Sequence, residues 1–468
     1  MNSAPLSPLE AGFLYAESPS TPMNIGSLSI FDGTGWRGPD GKLPLDRLQS
    51  HIEAKFMAVP RVFQHPVWPL GRAARPRWVD DKSFDITRHV RAVTLPPPGT
   101  EEQLMAVVED QHMKVLDRSH PLWELLFIDG LDGGRVAVLE KIHHSLVDGI
   151  GGVDLSVMLL DVEPTVARSV SGARPARPSV VDRVFPLVWA VEAAMDLPLA
   201  IAKDLTVLVT SPLSALRRGR QLGGASLSML TDLLAPRSSL NQQIGAGRRY
   251  RVMRRSLDET RQTAHALGGT VNDLILSAVS AGLQELVSSR DESLHGAHLH
   301  ALVPVSMRSD HDRGELGNRV AALVVPLPMR ALEPDERFAT VCEAVRTARD
   351  HHEMELSHAL LTVMQIWPEP IIASVADLMH HQPIFNLVVT NVPGPPIPLY
   401  LMEAEMLEAF PLVPLARNLT LSIGILSYHH QLTLGLWADR DLFPDLELLV
   451  NGIDAGFAAM EKATPRSF

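Results

Sequence analysis

The stretch His143-His144-Ser145-Leu146-Val147-Asp148-Gly149 decides how this chain is read. It follows an apolar run, residues 136–142, with Gly133-Gly134 just before that run and Gly151-Gly152 just after the motif. Two adjacent histidines alone are commonly a strand end followed by an Asp-Gly turn. The full pattern H-H-x-x-x-D-G, held between a strand and a glycine-rich turn, favours general-base chemistry instead. Histidine is the one side chain whose ordinary pKa lets it take and return a proton near neutral pH. Asp148, four residues past His144, is close enough for an ion pair or backbone hydrogen bonds to fix the loop that presents the imidazole.

Residues 122–128 and 136–142 flank the turn Asp129-Gly130-Leu131-Asp132-Gly133-Gly134, which predicts an antiparallel hairpin with the histidine pair at the exit of its second strand. Upstream, Thr100-Glu101-Glu102-Gln103 reads as a capping box. Leu104, Val107, Val108 and Val115 then recur at helical spacing, with Gln111 on the same face. Residues 149–160 start the following helix. Composition changes at Glu163, and 163–180, rich in Pro, Ala, Arg and Ser, reads as an exposed linker. The apolar stretch 185–216, interrupted by Glu192, Asp196, Lys203 and Asp204, reads as an amphipathic helical region that is buried, bridges the halves or attaches to a surface.

A second α/β unit follows. It opens with a strand over 249–257 and a helix over 258–267 stopped by Gly268-Gly269, and Thr270 caps a helix through 286. Strands near 299–307, 319–327, 384–391, 419–427 and 431–437 and helices near 334–352, 354–366 and 441–462 complete it. The expected organisation is α/β in three segments: 1–162 with the histidine motif, 163–247 as linker and bridging helices, and 248–468 as the second unit. Clefts form readily between such halves, so the active site is expected there.

A chain of 468 residues is long enough for about two to three domains, each with its own core. A net charge of −12, with no Lys/Arg block interleaved with aromatics, speaks against nucleic acid as the main partner. Cys342 is the only cysteine, which excludes an internal disulfide and a thiolate metal cluster and fits a reducing cytosol. Residues 1–8 have neither the basic nor the apolar region of a signal peptide. No spanning helix is expected. Residues 378–402 carry Pro383, Pro393, Pro395, Pro396 and Pro398, and residues 418–438 are dotted with polar side chains and read as two strands.

Several chemistries are absent. There is no G-x-S-x-G elbow and no complete phosphate-binding or dinucleotide loop. His351, His352, Glu355 and His358 could line one helix, but they do not form H-E-x-x-H and read as a solvated face; no metal site is expected. Direct acyl transfer with a histidine base is the simplest chemistry that survives.

The chain resembles the bacterial wax ester synthase/diacylglycerol acyltransferases, within the chloramphenicol-acetyltransferase-like CoA-dependent acyltransferases. The resemblance runs from Leu6-Ser7-Pro8-Leu9-Glu10 through Pro121-Leu122-Trp123, the histidine motif, Asn272-Asp273, Val303-Pro304-Val305-Ser306-Met307-Arg308, Gly317-Asn318-Arg319 and Asn391-Val392-Pro393-Gly394-Pro395 to the last helix. Each piece is short, and their order and spacing together carry the likeness. One departure is His429-His430, where the family has a tighter polar turn with glycine.

The resemblance implies two chloramphenicol-acetyltransferase-like domains, mixed sheets flanked by helices, with an active-site tunnel between them. It makes His144 the general base, its Nε2 facing the tunnel, and makes Asp148 a structural support that points away from the base and pairs with an arginine; Arg61 is the candidate. His143 would pack or hydrogen-bond behind the loop, and Gly149 would leave room for substrate beside the base. Asn272, just inside a helix N-terminus, would hold the oxyanion or position the base, or be an ordinary early-helix residue. Pro121-Leu122-Trp123 and the segment 391–395 read as shaping elements.

The implied reaction joins a long-chain acyl-CoA to diacylglycerol, giving triacylglycerol, or to a fatty alcohol, giving a wax ester. No cofactor is expected beyond acyl-CoA as substrate. The implied location is cytoplasmic, at the surface of a lipid droplet or the inner membrane. Two alternatives remain: a condensation-type acyltransferase using a carrier-bound donor, and a catalytically inactive lipid-binding relative.

Overall fold

The computed structural model describes residues 4–38, 41–68, 75–147, 158–164, 235–292, 298–306, 320–350 and 384–464. The helices expected at 185–216 and 354–366, the start of the one at 149–160, most of the 163–180 linker, and the cluster His351, His352, Glu355 and His358 lie outside the described residues.

In chain order the strands are β1 (Ala4–Pro5), β2 (Asn24–Phe31), β3 (Gln64–Val67), β4 (Arg77–Asp80), β5 (Val90–Thr94), β6 (Trp123–Asp129), β7 (Val136–His143), β8 (Arg248–Ser256), β9 (His298–Ser306), β10 (Val320–Pro328), β11 (Leu387–Pro393), β12 (Tyr400–Leu401), β13 (Ala404–Leu412), β14 (Leu421–Tyr428) and β15 (Gln431–Asp439). The helices are α1 (Pro8–Ala16), α2 (Leu45–Phe56), α3 (Ile86–His89), α4 (Glu101–His112), α5 (His144–Val147), α6 (Leu257–Ala266), α7 (Val271–Ser289), α8 (Pro334–Asp350) and α9 (Leu446–Ala463).

Two six-stranded mixed sheets organise the molecule, one in the order β12-β13-β2-β7-β6-β5 and the other β10-β9-β11-β14-β15-β8. β1, β4 and β3 form a small third sheet. The hairpin read from 122–142 is β6 and β7, antiparallel, with Trp123 opposite Ile142. β7 is buried along its whole length, so its apolar residues do not alternate with exposed ones, and Glu140 and Lys141 are buried with them. Strand β2 runs antiparallel on its other side and places Asn24 opposite His143.

The helices begin where the capping chemistry places them. Thr100 and Gln103 form a reciprocal capping box at α4, and Thr270 and Asp273 form another at α7. Helix α4 ends at His112, so Val115 lies beyond it and is exposed. The last helix starts at Leu446 rather than near 441, because Asp439 turns residues 441–442 by accepting from the backbone of Asp441 and Leu442.

One core cluster packs α7, α8 and α9 on the second sheet, and another gathers α1, α2 and the outer side of the first sheet. A third joins the sheets: Leu28, Leu104, Val108 and Leu139 pack with Tyr250, Phe410 and Trp437. Polar contacts reinforce that seam, since the Tyr250 backbone donates to Glu109 at 2.8 Å and Arg254 pairs with both Glu101 and Glu408. The segment 400–412 returns from the second half to complete the first sheet, with Phe410 opposite Leu28.

The tight turn between β14 and β15 consists of His429 and His430, both left-handed, with φ of 42° and 67°. Two-residue hairpins require this conformation, and asparagine followed by glycine adopts it with least strain. Replacing the pair with Asn-Gly is expected to stabilise the protein by about 1 kcal/mol, the left-handed strain relieved. The exposed His430–Asp258 contact at 2.9 Å offsets little of this. A melting temperature equal to or below wild type would contradict it.

Candidate active site

Strand β7 delivers the histidine pair to the edge of its core, where the chain leaves extended geometry and enters the short helix α5. The His143 backbone N–H donates to Leu122 O at 3.0 Å and that of His144 to Met23 O at 2.7 Å, so both flanking chains hold the pair. Leu122 belongs to the Pro121-Leu122-Trp123 motif, which therefore shapes the site directly. Trp123 is fixed by Nε1 donating to Val62 O at 2.8 Å and by stacking with His89 at 4.6 Å.

His143 is fully buried. Its Nδ1 accepts the Ser145 backbone N–H at 3.1 Å, with the Ser145 hydroxyl at 2.7 Å. With Nδ1 accepting, Nε2 is the ring nitrogen that carries a proton, and it lies 3.4 Å from Glu17 Oε1. The Glu17 carboxylate also takes Arg118 Nη2 at 2.8 Å and the Met23 backbone N–H at 3.2 Å. Burial alone would raise its pKa, but His143 and Arg118 together hold it below the usual carboxylate value.

His144 is half-buried and stacks on Phe13, with ring centroids 3.8 Å apart and planes 19° from parallel. Its Nδ1 is buried and, among the described residues, has no hydrogen bond from another residue. Burial lowers its pKa to about 4, against an opposing hydrogen bond with its own backbone. The imidazole is therefore neutral at physiological pH, the form a general base needs.

Asp148 and Gly149 lie outside the described residues, and with them the expected pairing of Asp148 and Arg61. Arg61 itself lies over the Trp78 ring at 4.8 Å and 4.0 Å from Glu10 Oε1. Asn272 is half-buried in the first turn of α7. Among the described residues no hydrogen bond or ring contact joins it to either histidine, and its neighbour Asp273 closes the capping box with Thr270. Gly394, in the segment 391–395, donates its backbone N–H to Ser427 Oγ at 3.2 Å, tying that bend to β14. Among the described residues no group of three or more His, Cys, Asp or Glu side chains could hold a metal ion. No single helix there is long and apolar enough to cross a membrane.

Sequence reasoning missed Phe13, Glu17 and Arg118. The signal for the element carrying Phe13 was present in Ser7-Pro8-Leu9-Glu10, a capping box with proline at the first helical position.

Buried histidines set an acid limit on the fold. His112 donates Nε2–H to Asn24 O at 3.2 Å, packs edge-on against Trp437 and titrates at about 3, mainly through burial. An unfolded histidine titrates near 6.5, so below that pH the unfolded chain binds protons that folded His112 and His144 refuse. Their folded pKa values are depressed, so stability falls as pH drops from about 6.5 towards 4. His112 alone contributes a loss of roughly 3 kcal/mol by pH 4. Melting curves that stay level from pH 7 to 4.5 would contradict this.

Two mixed sheets with an inter-sheet core define a chloramphenicol-acetyltransferase-like architecture. The fold is shared, at TM-score 0.62 and 13% identity, with a trichothecene 15-O-acetyltransferase from Fusarium sporotrichioides, over 98% of this chain and 95% of that one. Residues 6–275 match the wax ester synthase/diacylglycerol acyltransferase catalytic domain, and residues 316–461 match the C-terminal domain of the same family. A probable diacylglycerol O-acyltransferase of Mycobacterium tuberculosis is 31% identical over 98% of this chain and 96% of its own length. The wax ester synthase/diacylglycerol acyltransferase from Marinobacter aquaeolei VT8 superimposes with TM-score 0.70 at 26% identity, covering 98% of this chain and 99% of that one. The chain belongs to the wax ester synthase/diacylglycerol acyltransferase family and is an O-acyltransferase.

Proposed function

We propose that the protein transfers a long-chain acyl group from CoA to a lipid alcohol, making triacylglycerol from diacylglycerol, wax ester from a fatty alcohol, or both. The observation that carries this reading is His144 itself, a neutral, half-buried imidazole at the end of β7 within the matched catalytic region.

In this reading His144 Nε2 takes the hydroxyl proton as the alcohol oxygen attacks the thioester carbonyl. The new C–O bond gives a tetrahedral oxyanion, for which Asn272 is the candidate donor. Collapse breaks the C–S bond, and the proton passes from His144 to the leaving thiolate. The thioester is already activated, so no covalent acyl-enzyme is required. Asp148 braces the loop with an arginine, and Gly149 leaves space beside the base. No cofactor takes part. Substrate and product are apolar, which favours cytoplasmic protein lying peripherally on a lipid droplet or inner membrane. At a net charge of −12, apolar contact rather than charge would drive that attachment.

The test is purified protein with palmitoyl-CoA and a panel of acceptors, products resolved by lipid chromatography and CoA thiol release followed in parallel. Stoichiometric CoA and ester are expected. Turnover only with a carrier-protein thioester would replace this reading with the condensation-type alternative, and no turnover with any donor would point to a lipid-binding role. Protein that never floats with liposomes, even with substrate present, would refute the peripheral location.

A further inference from the structure

We infer that helix α1 is the positioning element for the reaction, with Phe13 holding the His144 imidazole in its reactive orientation from one face. This rests on His144 being the base. The motif Leu6-Ser7-Pro8-Leu9-Glu10 thereby gains a purpose: it launches the helix that carries Phe13.

A base must hold its direction to within a fraction of an ångström, and an imidazole has two side-chain torsions to restrain. In many histidine bases a hydrogen bond at Nδ1 does this. Among the described residues Nδ1 has no hydrogen bond from another residue and meets only its own backbone, so packing adds the restraint from the ring face. The near-parallel Phe13 ring at 3.8 Å is the contact positioned to do it. It also closes that face of the imidazole to water.

Helix α1 is nine residues long, too short to be stable alone. It is fixed at both ends. At the start, Ser7 Oγ accepts the Glu10 backbone N–H at 3.1 Å while Glu10 Oε2 accepts the Ser7 N–H at 2.5 Å. At the end, Arg118 Nη2 donates to Leu14 O at 2.8 Å and also to Glu17 Oε2. Glu17 caps the helix end, its backbone N–H donating to Phe13 O at 3.1 Å, so the two residues stand together in the last turn. One meets His144 and the other meets His143, so a single helical turn engages both histidines of the motif. Among the described residues, the charged and titratable groups of this cluster are His143, Glu17 and Arg118, with the Glu10–Arg61 pair behind the helix start.

The experiment compares Phe13→Ala, Phe13→Leu and Phe13→Tyr with wild type and His144→Ala, measuring kcat, KM for palmitoyl-CoA, melting temperature and the pH profile of kcat/KM. Phe13→Ala is expected to lower kcat about a hundredfold, the scale of a misplaced reacting group, with KM changing by less than about threefold. Phe13→Leu keeps most of the volume without a flat face, so it is expected to lose rate while melting close to wild type. Phe13→Tyr keeps the ring and should restore kcat to within about threefold. In Phe13→Ala the acid limb of the profile should move up towards the ordinary histidine value as water reaches the ring. If Phe13→Leu and Phe13→Ala keep wild-type kcat and acid limb while His144→Ala is inactive, Phe13 is not a positioning residue although the base assignment stands. If His144→Ala stays active, the base assignment fails first and the positioning role falls with it.

Discussion

Replacing His144 with alanine is expected to remove about 10²–10⁴ of the transfer rate, the usual contribution of a general base. The fold should survive. His144 is half-buried at the end of a strand, and its loss removes one ring contact with Phe13, worth about 1 kcal/mol. A base acts only as the transition state forms, so binding of acyl-CoA should change little. Asp148→Asn provides the contrast. If the carboxylate only braces the loop, that variant should lose stability and activity together, because breaking a pair leaves its partner charge uncompensated. A change at Arg61 should then recover part of both. Initial rates beside melting temperatures separate the two behaviours. Asp148→Asn melting like wild type yet as inactive as His144→Ala would place Asp148 in the chemistry.

The second large effect is expected far from the histidines, at Gly435. This glycine is paired across the sheet with Gly424, and together they leave a slot in the second sheet. Pro411, on the strand β13 that crosses into the first sheet, fills it, and Tyr250 Oη donates to Pro411 O at 2.9 Å. A methyl group on Gly435 would overlap the Pro411 carbonyl oxygen and lie 2.5 Å from Tyr250 Oη. Backbone cannot yield there without pulling β13 from β2, so Gly435→Ala is expected to cost about 3 kcal/mol or more. At Gly424 a methyl would meet Pro411 Cγ and Val413 Cγ2, both at 2.9 Å, side-chain rather than backbone atoms, so Gly424→Ala should cost less, about 1–2 kcal/mol. Equal melting temperatures for the two variants would mean that the crossing strand does not press on this slot. Strand β2 also pairs with β7, so Gly435→Ala should lower activity along with stability.

The elements legible in the sequence share one property: their signals are local. The β6–β7 hairpin is written in two apolar runs around a glycine-rich turn, and the histidine pair falls at its exit. Helices α4 and α7 are announced by capping boxes, and the β14–β15 pair by its apolar runs and turn. Each is decided by contacts within a few residues, where the periods of helix and strand and the chemistry of caps suffice. The resemblance carried the rest of the expected architecture and the role of His144.

What surrounds His144 was decided elsewhere. Phe13 and Glu17 precede the histidine pair by most of a domain, and Arg118 is 101 residues from the carboxylate it neutralises. No strand is expected over 404–412, yet β13 forms there and completes the first sheet. Periodicity states which face of an element is apolar but not which other face will cover it, because burial rewards any apolar partner of fitting shape. The sequence alone thus determined the strand, the turn and the imidazole at its end. Only the folded chain chose the ring that stacks on that imidazole, the carboxylate behind its neighbour and the strand that joins the two sheets, since close packing selects partners by three-dimensional shape rather than by distance along the chain.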